Sequence, residues 1–273
     1  MGQSKKENER VTAHSQSKSL TRDKAALKEL LMNVGRTQEA KDKARKSLGI
    51  RGNFAIALDA TGSMEELIAD AKASIGEIIN RVFKEASTKV NIQFFVYRDY
   101  DVPREVLEFS PLSADSQELI RWLDAVRAFG GGANVGEAVN EALQAIAAAN
   151  VFDGAIVAGD EPSLPHEHLR SIGKNQSMSA IELAEQFGKR GIPIHTFLVG
   201  ARKDTENDFK VIAEKSGGRA GRLDGSAAMI DMAVMAILER VKGAAAVNRY
   251  MNEHQLTHSA KQFGNLLLAP PPK

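Results

Sequence analysis

The sequence contains no cysteine, and this absence removes several chemistries at once. Disulfides, thiolate-bound zinc, iron–sulfur clusters and a thiol nucleophile are all excluded. Aromatic residues make up 5% of the chain, and the single tryptophan, Trp122, reads with the phenylalanines as core. No apolar run reaches the roughly 18 residues that a membrane-spanning helix requires. The early lysines are not followed by the apolar stretch of a secretory signal. Lys6 stands where the N-myristoylation pattern wants serine or threonine. The expectation is a cytoplasmic protein without membrane insertion. Neither sign of charge dominates either, since the formal net charge is +1.

What is present is the mix of an ordinary globular protein, 43% apolar and 26% charged over 273 residues. That excludes a wholly disordered chain and a collagen-like fibre. The length suits one medium domain with extensions, or two small domains. The near-zero charge hides an asymmetry. Residues 1–50 hold 12 Lys/Arg against 6 Asp/Glu, a balance of +6, and the remainder carries −5. A basic arm on a mildly acidic body can meet an acidic protein, nucleic acid or the body itself; a solvated, partly helical tail is the simpler reading.

Three regions follow. Residues 1–51 form the basic extension, with disorder expected over 1–18. Helices are expected after Thr21, along Leu27, Leu30, Leu31 and Val34, and again over 38–47. Residues 52–242 alternate short apolar strands with amphipathic helices. Strands are expected at 53–58, 90–97, 105–109, 154–158, 194–199 and 219–223. Helices are expected at 65–86, 115–128, 135–149, 178–189, 206–215 and 227–241. The link between 97 and 105 is too short for a crossover helix, so those two strands should pair as an antiparallel hairpin. The other units imply a parallel sheet covered on both faces. The fold class is therefore α/β: a doubly wound, mostly parallel sheet with one antiparallel edge strand. Beyond Gly243 the apolar rhythm fades, and 243–273 reads as a flexible tail with a sticky apolar patch.

In such a sheet, ligands gather at the carboxyl ends of the strands. The loop after the first strand reads Asp59-Ala60-Thr61-Gly62-Ser63-Met64-Glu65. Oxygen-bearing side chains fall at alternate positions, Asp59, Thr61 and Ser63, and Gly62 permits the bend. A carboxylate with two hydroxyls suits a hard cation such as Mg²⁺. The alternative is structural: Asp59 and Ser63 cap the helix that starts near Met64.

This loop resembles the metal-ion-dependent adhesion site of von Willebrand factor A domains, and the resemblance covers about residues 52–242. Asp59-x-Thr61-Gly62-Ser63 fits the family's first element. Tyr97-Arg98-Asp99-Tyr100-Asp101 is similar to the stretch after the second strand in the branch of Dictyostelium-type alpha-kinase A-domains. The second element departs from the pattern: in Gly131-Gly132-Ala133-Asn134-Val135-Gly136-Glu137, Ala133 takes the place of the family's ligating threonine. Asn134 or a water is left to fill the gap. For the third element, alignment on Pro162 offers Gly159 or Asp160 as the aspartate position, and Asp160 is preferred.

The resemblance implies Mg²⁺ or Mn²⁺ held by Asp59, Thr61, Ser63 and Asp160, with Asn134, Asp99 and Glu65 as auxiliaries. An open coordination position would take an Asp or Glu from another protein. It also implies a binding module rather than an enzyme. The companion in a cytoplasmic assembly would be an AAA-type ATPase, a kinase or a phosphatase, and nucleic acid is the weaker candidate. A structural subunit with a vestigial site is the alternative, and a metal-dependent hydrolase ranks below it. Other motifs weigh less. Gly130–Gly132 lacks the Gly-Lys-Ser/Thr ending of a phosphate loop. His166 and His168 are read as loop residues without a third ligand for zinc. Thr61 replaces the second aspartate of aspartyl phosphatases, and no Ser-His-Asp order stands out.

Overall fold

Apolar residues on both sides of a strand leave it only one stable place, the interior of a covered sheet. In the computed structural model of the protein, which describes residues 50–102, 105–131 and 136–270, that strand is β1 (Ile50–Asp59). β1 joins β2 (Lys89–Tyr97), β3 (Leu107–Phe109), β4 (Gly154–Gly159), β5 (Ile194–Val199) and β6 (Ala220–Leu223) in one sheet, ordered β3-β2-β1-β4-β5-β6. The chain divides after Ile50, and the architecture here is that of the unit Arg51–Lys273. The expected helices of the basic arm lie outside the described residues.

Pairing is parallel from β1 to β4, β4 to β5 and β5 to β6. Asn91 Nδ2 donates to Asn53 Oδ1 at one end of β1 and β2, and Ala60 N donates to Tyr97 O at the other, so these strands also run the same way. β3 pairs antiparallel with β2, Phe95 facing Phe109 and Tyr97 facing Leu107, as the short link requires.

Alternate residues of each strand serve opposite faces. Phe54, Ile56 and Leu58 join one core, and Ala55 and Ala57 the other. The first face is covered by α1 (Glu65–Ala86), α2 (Ser116–Ala125) and α7 (Ser226–Lys242). The second is covered by α3 (Val139–Ala149), α5 (Ala180–Lys189) and α6 (Lys203–Ser216), while α4 (His166–Ser171) follows β4. No helix among the described residues is long and apolar enough to cross a membrane.

Four expectations need correction. Asp115 is not the first residue of its helix: its side chain accepts from Gln117 N and Glu118 N and caps α2, which ends at Ala125 because Val126 is extended. The helix expected from 135 starts at Val139, since Glu137 instead bridges to Ser163. His166 and His168 lie on α4 rather than on a loop.

The fourth is the supposed tail. Residues 243–273 contain α8 (Ala244–Glu253) and α9 (His258–Leu268), joined to α7 through Gly243 at φ 79°. Val247, Tyr250, Ala260 and Phe263 are buried in the first core. Each helix carries an apolar stripe, and a helix of only ten or eleven residues is marginal without tertiary support. Tertiary contacts decide the matter. The Tyr250 hydroxyl donates to Asp231 Oδ1 and accepts from Arg81, tying α8 to α7 and α1. A Cβ at Gly264 would lie 2.5 Å from Met251 Sδ, so α9 packs closely against the methionines of α7 and α8. Phe263 sets its ring edge-on to Phe197, centroids 5.2 Å apart. Truncating that ring should therefore destabilise the whole domain. Phe263→Ala is expected to lower unfolding free energy by roughly 3–5 kcal/mol in denaturant titration. A change below about 1 kcal/mol would mean that α9 is not part of the core.

Candidate functional site

β1 and β4 pair with Leu58 opposite Ala158, so their carboxyl ends finish side by side. Asp59 closes β1 and is fully buried. Thr61 N and Thr61 Oγ1 both donate to Asp59 Oδ1, each at 2.8 Å, which curls the loop back on the strand end. Thr61 Oγ1 lies 3.3 Å from Ser63 Oγ. Thr61 and Met64, at the N-cap positions of the short 3-10 turn and of α1, make no side-chain cap bond, and the Asp59 carboxylate accepts from Thr61 instead.

Asp160 follows β4, and Thr205 Oγ1 fixes its carbonyl at 2.8 Å. Its carboxyl is close enough to Asp59 to act as a like charge and as a hydrogen-bonding neighbour. Burial, offset by the two Thr61 bonds and reinforced by Asp160, pushes the Asp59 carboxyl up to about 7. Asp59 Oδ2 and Asp160 Oδ1 are buried and have no hydrogen-bond partner. Orphaned buried carboxylate oxygens are costly unless a cation or proton answers them.

Glu137 brings a third carboxylate that sequence reasoning missed. It is 3% exposed, and Glu137 N donates to Pro162 O at 2.8 Å, which straps it to the loop bearing Asp160. Burial first, and then the charges of Asp59, Asp99 and Asp160, push its carboxyl up to about 9. The only signal in the sequence was an acidic residue among small and apolar ones at the start of a helix.

The glycine-rich loop passes directly over the first. Gly62 N donates to Gly130 O at 3.0 Å, and Phe129 N to Ala60 O at 2.9 Å. Gly131 sits at φ 83°, and a Cβ there would stand 2.9 Å from Thr61 Cβ. At Gly159 a Cβ would meet the Tyr97 hydroxyl at 2.6 Å and Asp59 Oδ2 at 3.3 Å. Arg98 holds these loops from inside. Its buried guanidinium donates to Glu105 O, Glu108 Oε1 and Arg127 O, and lies 4.3 Å from the centre of the Phe129 ring.

The three loops enclose a cleft of about 360 Å³, lined by Thr61, Ser63, Glu137, Asp160, Glu161 and Arg202 among others. Arg202 pairs with Glu161 and with Asp204. A larger groove, about 500 Å³, runs beside β6 past Phe209, Arg219 and Phe263, and shares no residue with the carboxylate cleft.

Asp59, Thr61, Ser63 and Asp160 are thus brought together as expected. Asn134 and Ala133 lie outside the described residues. Glu65 is exposed at the start of α1 and does not line the cleft. Asp99 is buried; its Oδ1 accepts from Tyr100 N at 2.6 Å, and its charge acts on Glu137. Asp101 is exposed but useful, since its Oδ2 accepts from Gly131 N at 3.1 Å.

Among the described residues, no three His, Cys, Asp or Glu side chains gather closely enough to hold a metal by themselves. The donor set nevertheless fits a hard cation, because two orphaned carboxylate oxygens and two hydroxyls belong to the same strand-end site and every donor is oxygen.

No protein-family profile and no curated protein matches the chain. Solved structures do. BatB from Bacteroides thetaiotaomicron aligns over 70% of this chain and 99% of its own, at 17% identity and TM-score 0.50. Proximal thread matrix protein 1 from the mussel byssus aligns over 74% of this chain and 50% of its own, at 13% identity and TM-score 0.51. A von Willebrand factor type A structure from Catenulispora acidiphila aligns more loosely, over 68% and 43%, at 15% identity and TM-score 0.46. Likeness at these identities speaks to fold alone. The chain has the von Willebrand factor A fold: the strand order, the single antiparallel edge strand and the Asp-x-Thr-x-Ser turn at the end of β1 agree with it.

The raised carboxyls set a pH dependence for the cation-free protein. Asp59 and Glu137 keep their protons in the fold above the ordinary values of 3.8 and 4.5, up to about 7 and about 9. The folded state then binds more protons than the unfolded chain, so stability is greatest below about pH 4 for these groups and falls as pH rises through both values. In chelator, thermal melting of the wild type should drop between about pH 5 and 9, and Asp59→Asn should flatten the lower part of that fall. Equal slopes in the two proteins would show that Asp59 is already ionised throughout.

Proposed function

We propose that this chain is a metal-dependent protein-interaction module. Mg²⁺ or Mn²⁺ is held by Asp59, Thr61, Ser63 and Asp160, and the carboxylate of a partner's Asp or Glu completes its shell. The observation that carries the reading is the pair of buried, partnerless oxygens, Asp59 Oδ2 and Asp160 Oδ1, delivered to one point by two different strands. Their repulsion disfavours the cation-free site, and a divalent ion reverses the sign of that energy. Two aspartates only just balance a divalent charge, so the ion keeps an affinity for a further anion. The cleft binds and does not catalyse in this reading. The partner belongs to a cytoplasmic multiprotein assembly, with an AAA-type ATPase, a kinase or a phosphatase as the companion suggested by the resemblance.

A structural subunit without a working ion site is the competing reading. What favours it is that no three acidic or imidazole side chains gather tightly among the described residues.

Calorimetric titration of Mg²⁺ and Mn²⁺ into wild type and Asp59→Ala separates the two. Saturable heat is expected in the wild type and should vanish in the variant. Identical heats would remove the ion site. With Mn²⁺ loaded, acetate should lower the relaxivity of water protons as it takes the open position, and an unchanged relaxivity would argue against carboxylate capture.

A further inference from the structure

The threonine that the resemblance places in the glycine-rich loop is replaced by Ala133, which offers no oxygen. Four residues later in the same segment, Glu137 projects a carboxylate into the same cleft. It is almost wholly buried, and its Oε2 has no hydrogen-bond partner. Its backbone is fixed on both sides to the Asp160 loop, by Glu137 N to Pro162 O and by Leu164 N to Glu137 O at 3.2 Å. Its other oxygen would touch a Cβ at Gly131 at 3.3 Å, which places the carboxylate against the loop that crosses Thr61. The nearby cations are engaged elsewhere: Arg202 with Glu161 and Asp204, Arg98 with Glu108. A buried acid with an empty acceptor, aimed into a cleft between two other acids, is poorly explained by packing, which an amide of the same shape would serve better.

We propose that Glu137 supplies the acceptor that Ala133 cannot, holding the cation through a water molecule in its shell. This rests on the reading above of an ion at Asp59 and Asp160. The contact runs through water because the three carboxylates are not gathered closely enough to bind one ion together, and Mg²⁺ in particular retains several of its waters. A carboxylate that orients such a water typically sets metal affinity by about 10–100-fold. Glu137 also adds a third negative charge beside the ion. It therefore favours tight retention of the cation and weakens the pull on a partner's carboxylate, which tunes the site toward reversible contacts.

The test uses the full chain, with Mg²⁺ and Mn²⁺ as the probes. Wild type, Glu137→Gln, Glu137→Asp and Asp59→Ala are titrated calorimetrically, and each is melted in chelator. Glu137→Gln is expected to bind the ions at least about tenfold more weakly. Its melting temperature in chelator should equal or exceed that of the wild type, because an amide of the same shape carries no ionisable group into the buried cleft. Glu137→Asp should recover part of the affinity. Wild-type affinity in Glu137→Gln, with Asp59→Ala inactive, overturns the role of Glu137 and leaves the ion site standing. A Glu137→Gln protein that no longer folds in chelator marks the carboxylate as structural and overturns the proposal as well. No binding by the wild type overturns both readings together.

Discussion

Leu58 faces Ala158 in the parallel pairing of β1 with β4, and this register brings Asp59 level with Gly159, the residue just before Asp160. A slip of β1 by one residue would carry Asp59 to the other face of the sheet, because strand side chains alternate between faces. The site is thus a consequence of strand pairing more than of the loops. The pairing in turn is held by the two apolar layers, whose residues Phe54, Ile56 and Leu58 on one side and Ala55 and Ala57 on the other leave the strand no freedom to slip.

That register has an electrostatic cost. Two acids meet in a buried place, and a third, Glu137, comes in from the following segment. Without a cation the fold answers by keeping protons on Asp59 and Glu137, with Thr61 taking up one oxygen of Asp59 through two hydrogen bonds. The surrounding scaffold is rigid enough to hold this arrangement. Gly62, Gly130 and Phe129 lock the first two loops together through the backbone, and buried Arg98 gathers three acceptors behind them. Tyr97 closes the floor, its hydroxyl donating to Ala158 O at 3.2 Å. Chemistry at the open end of the sheet is thereby paired with dense packing beneath it.

The far side of the molecule shows the same economy. Arg81, Asp231 and Tyr250 form a half-buried polar knot that binds α1, α7 and α8. α9 then lies on β6 and α7 through Phe263 and Gly264, making the last stretch of chain a structural part of the domain.

The alternation of apolar strands with amphipathic helices was readable in the sequence, since it records which faces must leave water. The antiparallel edge strand was readable from a link too short to cross the sheet. The Asp59-Thr61-Ser63 spacing was readable because three oxygens at alternate positions of one short loop need no distant partner to converge. The choice of Asp160 over Gly159 rested on an ambiguous alignment; the structure gives it a reason, since Gly159 faces the Tyr97 hydroxyl, where no side chain fits. Glu137, Asp99 and the terminal helices were decided only by tertiary structure. An acidic residue carries no local sign of burial, and an apolar stripe carries no sign of what will cover it. Local pattern fixes which way a side chain points along its own element. Only the packing of distant elements determines what it meets there.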